Sequence, residues 1–435
     1  MKNPTVRSIF FIWLGWLLLV IGFQALATAR LDPQWPDRAQ DWTTTETAKN
    51  QGDYQRDRLY LTEPFMNNQV AWDSEYYLGI AIGGYDDPNM PALSPKGWLI
   101  PNFETHIPTS AYQGEILSLS YAFLPLYPYT IRLVAIPLSL LGMNPIATAT
   151  LAGVLVSALG TLAAMLSLYV LARDALGEEG GLRAAFYLVI FPTGFFLAQV
   201  YTEGLFVGLA FSSLAMLKRR NWWAAALLAC AATLTRAVGI ALILPMVITW
   251  LSTREWYHLD LEWRQIYHSG LPLRPLLRGL LAFSPLFVFL AWKFSYLGVA
   301  FDFVEANFFG RGYLDLGTSF FTWATSLRSM LSFENPQHSA YYFTEFFGMT
   351  VAIIAILKAR KDFPELAWFS LAVFLISWGS GPAQGIHRYA LGAPALFVQL
   401  AAWGKNPAFD RVWTIASLLL MGLLAMLFAF DFWVA

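Results

Sequence analysis

Six short blocks in this 435-residue sequence hold side chains that can do chemistry on a phosphorylated, hydroxyl-bearing substrate. They are residues 72–77 (WDSEYY), 84–87 (GYDD), 123–128 (FLPLYP), 199–204 (QVYTEG), 235–239 (TRAVG) and 387–389 (HRY). A carboxylate such as Asp73 can take a proton from a hydroxyl as its oxygen attacks carbon. Glu75, two residues on, is the second candidate base. Arg236 and Arg388 can hold a phosphate through charge-assisted, bidentate hydrogen bonds and stabilise the charge a departing phosphate develops. Glu203 and His387 are expected to line the same site, and Trp72 and Tyr201 can stack on a sugar ring. Together these parts suit glycosyl transfer from a lipid phosphate. Each residue also has a plain structural reading. Asp73 precedes an apolar stretch and can be a helix N-cap. Glu203 can cap a helix, Arg236 can snorkel to the membrane surface, and Trp72 and Tyr201 can anchor at the interface.

The elements that must bring these blocks together are membrane helices. The chain is 57% hydrophobic and 13% charged, against about 25% charged in a soluble domain. A net charge of −1 offers nucleic acid no basic surface. The single cysteine, Cys230, excludes an internal disulfide and a cysteine-rich metal cluster. The 18 Trp, 19 Tyr and 34 Phe fit interfacial belts and lipid contact.

Apolar segments at 9–29, 146–172, 183–200, 203–217, 222–235, 238–251, 277–297, 340–357, 364–379, 387–403 and 411–431 predict about 11 spans. The first ends in Ala27-Thr28-Ala29, which resembles a signal-peptidase site. Its length and its two Trp favour an uncleaved anchor. Residues 30–115 then form a first large outer loop, and 298–339 a second. Residues 116–142 contain Pro125, Pro128, Arg132 and Pro137 and are read as interfacial or re-entrant helices. With that reading, Arg173, Arg183, Lys218-Arg219-Arg220, the stretch 254–278, Lys358-Arg360-Lys361, Lys405 and Arg411 all face the cytoplasm with the N-terminus. The polar blocks collect on the extracytoplasmic side, where ionisable groups at membrane depth face a cavity or a partner.

The remaining singular residues carry weaker signals. Asp86-Asp87-Pro88 reads as a turn, although adjacent acids also invite a metal. Arg132 can touch the phosphate of a lipid. His258 and His268 fall in the cytoplasmic stretch. His106 and His338 are outside and not in metal-ligand spacing. Phe308-Phe309-Gly310-Arg311-Gly312-Tyr313 can cap a lipid groove, and 319–331 reads as an interfacial helix. No phosphate loop, HExxH or GxSxG is present. The cytoplasmic loops are too short for a nucleotide-sugar domain. A transporter or lipid-linked sugar flippase is the alternative class; it requires polar groups continuous across the membrane.

The blocks WDSEYYLGIAIGGY, YAFLPLYPYTIRL, FPTGFFLAQVYTEGLFVGLAF, ATLTRAVGIALILP and HRYALGAPALF, in this order, resemble the GPI mannosyltransferase II (PIG-V-like) family of GT-C membrane glycosyltransferases. The resemblance implies an all-α GT-C-like bundle forming one membrane domain over residues 1–435. It implies a polyprenyl-phosphate-linked sugar donor, a lipid, glycan or protein hydroxyl acceptor, and inverting transfer. It also places an active site outside the cytoplasm, with the catalytic carboxylate in the first outer loop, a position matched here by Asp73. No cofactor or metal is expected.

Overall fold

The computed structural model describes residues 4–46, 58–100, 116–252, 273–312, 314–382 and 384–435. His106, His258, His268, Tyr313 and the part of the basic stretch before residue 273 lie outside the described residues. The described chain is helical apart from three two-residue strands, β1 (Ala92–Leu93), β2 (Leu99–Ile100) and β3 (Leu117–Ser118), with β1 central and antiparallel to both others.

The longer helices run in order: α1 (Pro4–Arg30), α2 (Ser74–Ile82), α3 (Leu126–Leu138), α4 (Pro145–Ile190), α5 (Thr202–Lys218), α6 (Trp222–Thr235), α7 (Ile243–Ser252), α8 (Leu273–Ala282), α9 (Ser284–Lys293), α10 (Tyr296–Asn307), α11 (Leu316–Ser332), α12 (Pro336–Ala359), α13 (Pro364–Trp378), α14 (Pro394–Trp403) and α15 (Pro407–Ala429). Of these, α1, α4, α12 and α15 are long and apolar enough to cross a membrane, and α8 with α9 makes a fifth candidate bent by 45°.

The starts and stops follow local chemistry. Helix α4 begins where the Asn144 side chain accepts the Ala147 N–H at 2.8 Å, with Pro145 in the first turn. It breaks at Gly177, whose φ of 76° only glycine adopts without strain, and ends before Pro192. Helices α4 and α5 pack backbone to backbone. A Cβ on Gly160 would stand 2.4 Å from the Gly204 carbonyl oxygen, and one on Gly208 would stand 2.5 Å from that of Gly160. Such small-residue seams are the usual close approach of membrane helices. Helix α1 joins this unit through buried polar groups. The Trp13 indole donates to the Ala158 carbonyl at 2.7 Å. Gln24 donates to the carbonyls of Asn68 and Ala425 and accepts from the amides of Gln69 and Gln199.

Several expected spans take a different form. The segment 183–200 is not one helix: α4 stops at Ile190, and residues 191–201 form turns and a 3-10 helix, Gly194–Ala198. Residues 238–251 divide into a 3-10 helix, Ala237–Leu242, and α7. Residues 387–403 divide into the four-residue helix Ile386–Tyr389 and α14. The physical reason is common to all three. Backbone groups freed at a break inside the bundle are satisfied by neighbouring protein, so a uniform apolar run need not be one helix. Residues 116–142 are also not a single span, in keeping with their prolines: β3 leads into a 3-10 turn, Leu119–Ala122, and then α3. The expected interfacial helix 319–331 is α11, capped by Asp315 on the Thr318 N–H at 3.1 Å.

Candidate active site

Asp73 is fixed from three sides. Trp72 adopts a left-handed φ of 50°, turning the chain into α2. The Tyr201 phenol clamps this turn, donating to the Ala71 carbonyl at 3.1 Å and accepting the Asp73 N–H at 3.3 Å. The Gln69 carbonyl accepts the Val200 N–H at 3.1 Å, tying the same strand of chain to the segment after α4. The far end of α2 is held by Arg132, which donates to the carbonyls of Ala81 at 2.7 Å and Ile80 at 2.9 Å. Arg132 therefore closes a helix C-terminus. Asp73 stands at the N-cap position of α2 but makes no capping hydrogen bond. Its side chain is 24% exposed and faces Arg388 at 3.5 Å.

Arg388 and Arg236 arrive from two helix breaks. Arg388 lies in the short helix Ile386–Tyr389, whose first N–H groups are taken by the Glu345 carboxylate: Ile386 at 2.8 Å and Gly385 at 3.3 Å. Arg236 stands in extended backbone between α6 and the following 3-10 helix. Both converge on Glu203 in the first turn of α5. Arg388 Nε is 3.3 Å from its Oε1, and Arg236 Nη1 donates to the same oxygen. Arg236 also donates to Thr202 Oγ1 at 3.1 Å and lies 4.6 Å over the Tyr389 ring. Arg388 lies 5.2 Å over Tyr201. The result is a chain of alternating charge, Asp73–Arg388–Glu203–Arg236, at the wall of a cavity of about 1040 Å³.

Of the eight residues read from sequence, Trp72, Asp73, Glu75, Arg236 and Arg388 line that cavity, whereas Tyr201, Glu203 and His387 do not. Tyr201 is the buried clamp of the Asp73 turn. Glu203 sits behind the two arginines, its side chain 4% exposed. His387 is 2% exposed and turns toward Glu345, with Nδ1 3.9 Å from Oε2. Asp86 and Asp87 are structural: Asp87 accepts the Asn89 N–H at 2.8 Å and the Tyr60 hydroxyl, and Asp86 accepts the Tyr121 hydroxyl at 2.9 Å. His338 bonds the Ala39 carbonyl at 3.0 Å. No group of three or more His, Cys, Asp or Glu side chains able to hold a metal occurs among the described residues.

Four further residues contribute: Arg311 and Tyr389 lie in stretches already singled out in the sequence, whereas Glu345 and Glu305 were missed. Arg311, from the loop after α10, lines the cavity and donates to the Tyr389 hydroxyl at 3.1 Å. Tyr389 thereby joins Arg236 and Arg311. Glu345 sets the short helix that carries Arg388, and an acid within the apolar run of α12 is the signal that could have found it. Glu305, at the end of α10 and outside the spanning candidates, is the fourth. It lines the cavity near Arg311, and its carbonyl accepts the Arg311 N–H at 2.9 Å. Burial, with smaller contributions from Asp73 and Asp302, pushes its carboxyl up to about 7 against the pull of Arg311.

The folded chain therefore keeps this proton over a range where the unfolded chain has released it. The stabilisation is full below the ordinary carboxyl range and is lost as pH rises toward 7. Glu305→Gln is expected to raise the apparent melting temperature at pH 8 and leave it unchanged at pH 4. Equal shifts at both values, measured by differential scanning fluorimetry, would contradict this.

Residues 104–307 match the family model described as Mannosyltransferase (PIG-V). That stretch takes in Arg132, Glu203, Arg236 and Glu305, and leaves Asp73, Arg311 and Arg388 on either side. A comparison with curated protein sequences finds no match. Among solved structures, the chain is similar to the oligosaccharyltransferase AglB from Archaeoglobus fulgidus in complex with an inhibitory peptide and a dolichol-phosphate. The identity is 14% and the TM-score 0.42, covering 96% of this chain and 55% of that one. The apo form of the Archaeoglobus fulgidus oligosaccharyltransferase gives 13% identity and a TM-score of 0.42 over 97% and 56% of the two chains. Its complex with Zn and sulfate gives 16% and 0.37 over 72% and 45%. The present chain thus spans about half the length of those proteins. Over residues 104–307 the chain is similar to the PIG-V mannosyltransferases, as its ordered sequence blocks imply.

Proposed function

We propose that this protein is a multi-pass membrane glycosyltransferase of GT-C type. It moves a hexose, mannose in the first instance, from a polyprenyl-phosphate sugar to a hydroxyl acceptor at the extracytoplasmic surface, with inversion. The observation that carries this reading is the partly exposed carboxylate of Asp73 facing Arg388 at 3.5 Å in one large cavity. Base and phosphate-binding cation are then within the reach of a single small substrate.

In the proposed step, Asp73 accepts the proton of the acceptor hydroxyl while that oxygen forms a bond to the anomeric carbon. The bond from anomeric carbon to phosphate oxygen breaks, and its electron pair leaves with the phosphate. Guanidinium groups at the cavity wall neutralise the charge that develops. The charges support a particular division of labour. Asp73 and Glu203 balance Arg388 and Arg236 in the resting chain, and the charge of Arg388 is released as Asp73 takes up the acceptor proton. The side-chain hydrogen bond of Arg311 goes to the Tyr389 hydroxyl rather than to a carboxylate. Arg388 and Arg311 are accordingly the phosphate ligands in this reading, and Arg236 holds Glu203 and Tyr389 in place.

The direct test is to incubate the protein in nanodiscs with labelled polyprenyl-phosphate mannose and to follow release of the polyprenyl phosphate. Consumption of the donor is expected; its persistence with every hydroxyl acceptor tried would reject the reading. Arg311→Ala is expected to raise the donor KM about 10- to 100-fold, the range of one charge-assisted hydrogen bond. An unchanged donor KM would remove Arg311 from the phosphate site.

A further inference from the structure

Three indoles from distant parts of the chain meet beside Asp73. Trp42 comes from the segment between α1 and α2, Trp72 immediately precedes the acid, and Trp433 follows α15. Their ring centroids are 5.6 Å apart for Trp42 and Trp72, 5.3 Å for Trp72 and Trp433, and 4.8 Å for Trp42 and Trp433, all edge to face. All three line the cavity. Trp72 is 8% exposed, while Trp42 and Trp433 are only partly buried.

A cluster made only for packing would not need its central member at a φ of 50°. That region is strained for a residue without glycine's freedom, and such residues are concentrated at functional sites. The Trp72 indole also donates to the Phe432 carbonyl at 3.4 Å, and the backbone N–H of Trp433 donates to the Asp37 carboxylate at 2.6 Å. The wall is therefore fixed by hydrogen bonds as well as by ring contacts.

The described cation–π contacts of Arg236 and Arg388 are to Tyr389, Phe206, Tyr201 and Phe196, and none is to these indoles. Asp73 thus borders two kinds of wall, one cationic and one aromatic. Inverting substitution needs the attacking oxygen and the leaving group on opposite faces of the sugar ring. Asp73, the proposed base for the acceptor hydroxyl, directly follows Trp72 in the chain, so the aromatic wall is assigned to the acceptor. Indole faces present a polarisable, weakly negative surface to the C–H groups of a pyranose, and Glu75 and Gln384 of the same cavity can meet ring hydroxyls.

We infer that Trp42, Trp72 and Trp433 form the acceptor subsite and that the acceptor is a glycoside, its pyranose ring stacked on this wall. This rests on the proposed transferase reading for the word acceptor, but the sugar site itself does not.

The test needs no turnover. Protein in nanodiscs is titrated with methyl α-D-mannopyranoside by saturation-transfer-difference NMR, with cyclohexanol as the matched non-sugar control. Saturation transfer to the glycoside and not to cyclohexanol is expected. Trp42→Leu and Trp433→Leu should each weaken glycoside binding about tenfold, and Trp433→Phe, which keeps a ring, should retain most of it. Undiminished binding in both leucine variants, or equal transfer to cyclohexanol, overturns the inference, as does the absence of transfer to the wild-type protein. Adding polyprenyl-phosphate mannose to the Asp73→Asn protein separates the two sources of a sugar ring. A glycoside signal that persists supports an acceptor site, and one that is displaced assigns the wall to the donor's hexose and overturns it. Failure of the transferase reading is distinguishable: the donor would stay intact while the glycoside signal remained.

Discussion

Asp73→Asn is expected to lower kcat for hexose transfer by about 10²- to 10⁴-fold, the range contributed by a positioned general base. The donor KM should change little and protein yield not at all. The asparagine fits the same space and removes no capping bond, because the native side chain makes none. The Tyr201 clamp acts on backbone atoms and survives the substitution. The discriminating measurement is turnover against pH, alongside an apparent melting temperature. Wild-type turnover in Asp73→Asn would remove the base, and a collapse in melting temperature would recast Asp73 as a structural partner of Arg388. Glu75→Gln tests the second candidate base and is expected to lower kcat far less than Asp73→Asn.

The largest effect on stability is expected at Glu203. Its carboxylate is 4% exposed and is shared by two guanidinium groups that are 13% and 8% exposed. Removing one member of a buried ion network leaves the others desolvated and uncompensated, at a cost of about 3–5 kcal/mol. Glu203→Ala should therefore lower the apparent melting temperature by about 5–10 °C and raise the donor KM by misplacing Arg388. Glu203→Gln keeps a hydrogen-bond acceptor and should fall between the two. Because it also frees positive charge, added polyprenyl phosphate should stabilise Glu203→Gln more than the wild type. A Glu203→Ala protein that melts like the wild type would show that the arginines find other partners.

The class of the molecule was legible because it depends on sums. Apolar runs, loop charges and proline positions are additive signals, and they identify a helical membrane protein with a broken segment before α4. The cluster of Asp73, Arg236 and Arg388 was legible for a related reason: charged residues at the ends of apolar runs are costly there unless they share a cavity. Depth was not legible. Sequence gives Glu203, Tyr201 and His387 the same standing as Asp73, yet three of these four are buried supports, because only packing decides which side of a guanidinium a carboxylate occupies. Helix breaks at residues 191–201 and 390–393 were missed although Pro192, Gly194, Gly392 and Pro394 mark them, because each apolar run continues through its break. Trp433 was missed because nothing local marks it; its partners Trp42 and Trp72 lie hundreds of positions away.

The glycine seam between α4 and α5 has a consequence for how such a site can diversify. With Gly160, Gly204 and Gly208 in backbone contact, the carboxylate one residue before Gly204 stands on a foundation with no slack, and any side chain added there would drive the two helices apart. Arg311 and Glu305, by contrast, ride on a short helix and loop that line the cavity outside this seam. New substrate preferences are therefore most readily acquired by redrafting residues 296–312, while the stretch from 153 to 208 acts as an anvil that tolerates little revision.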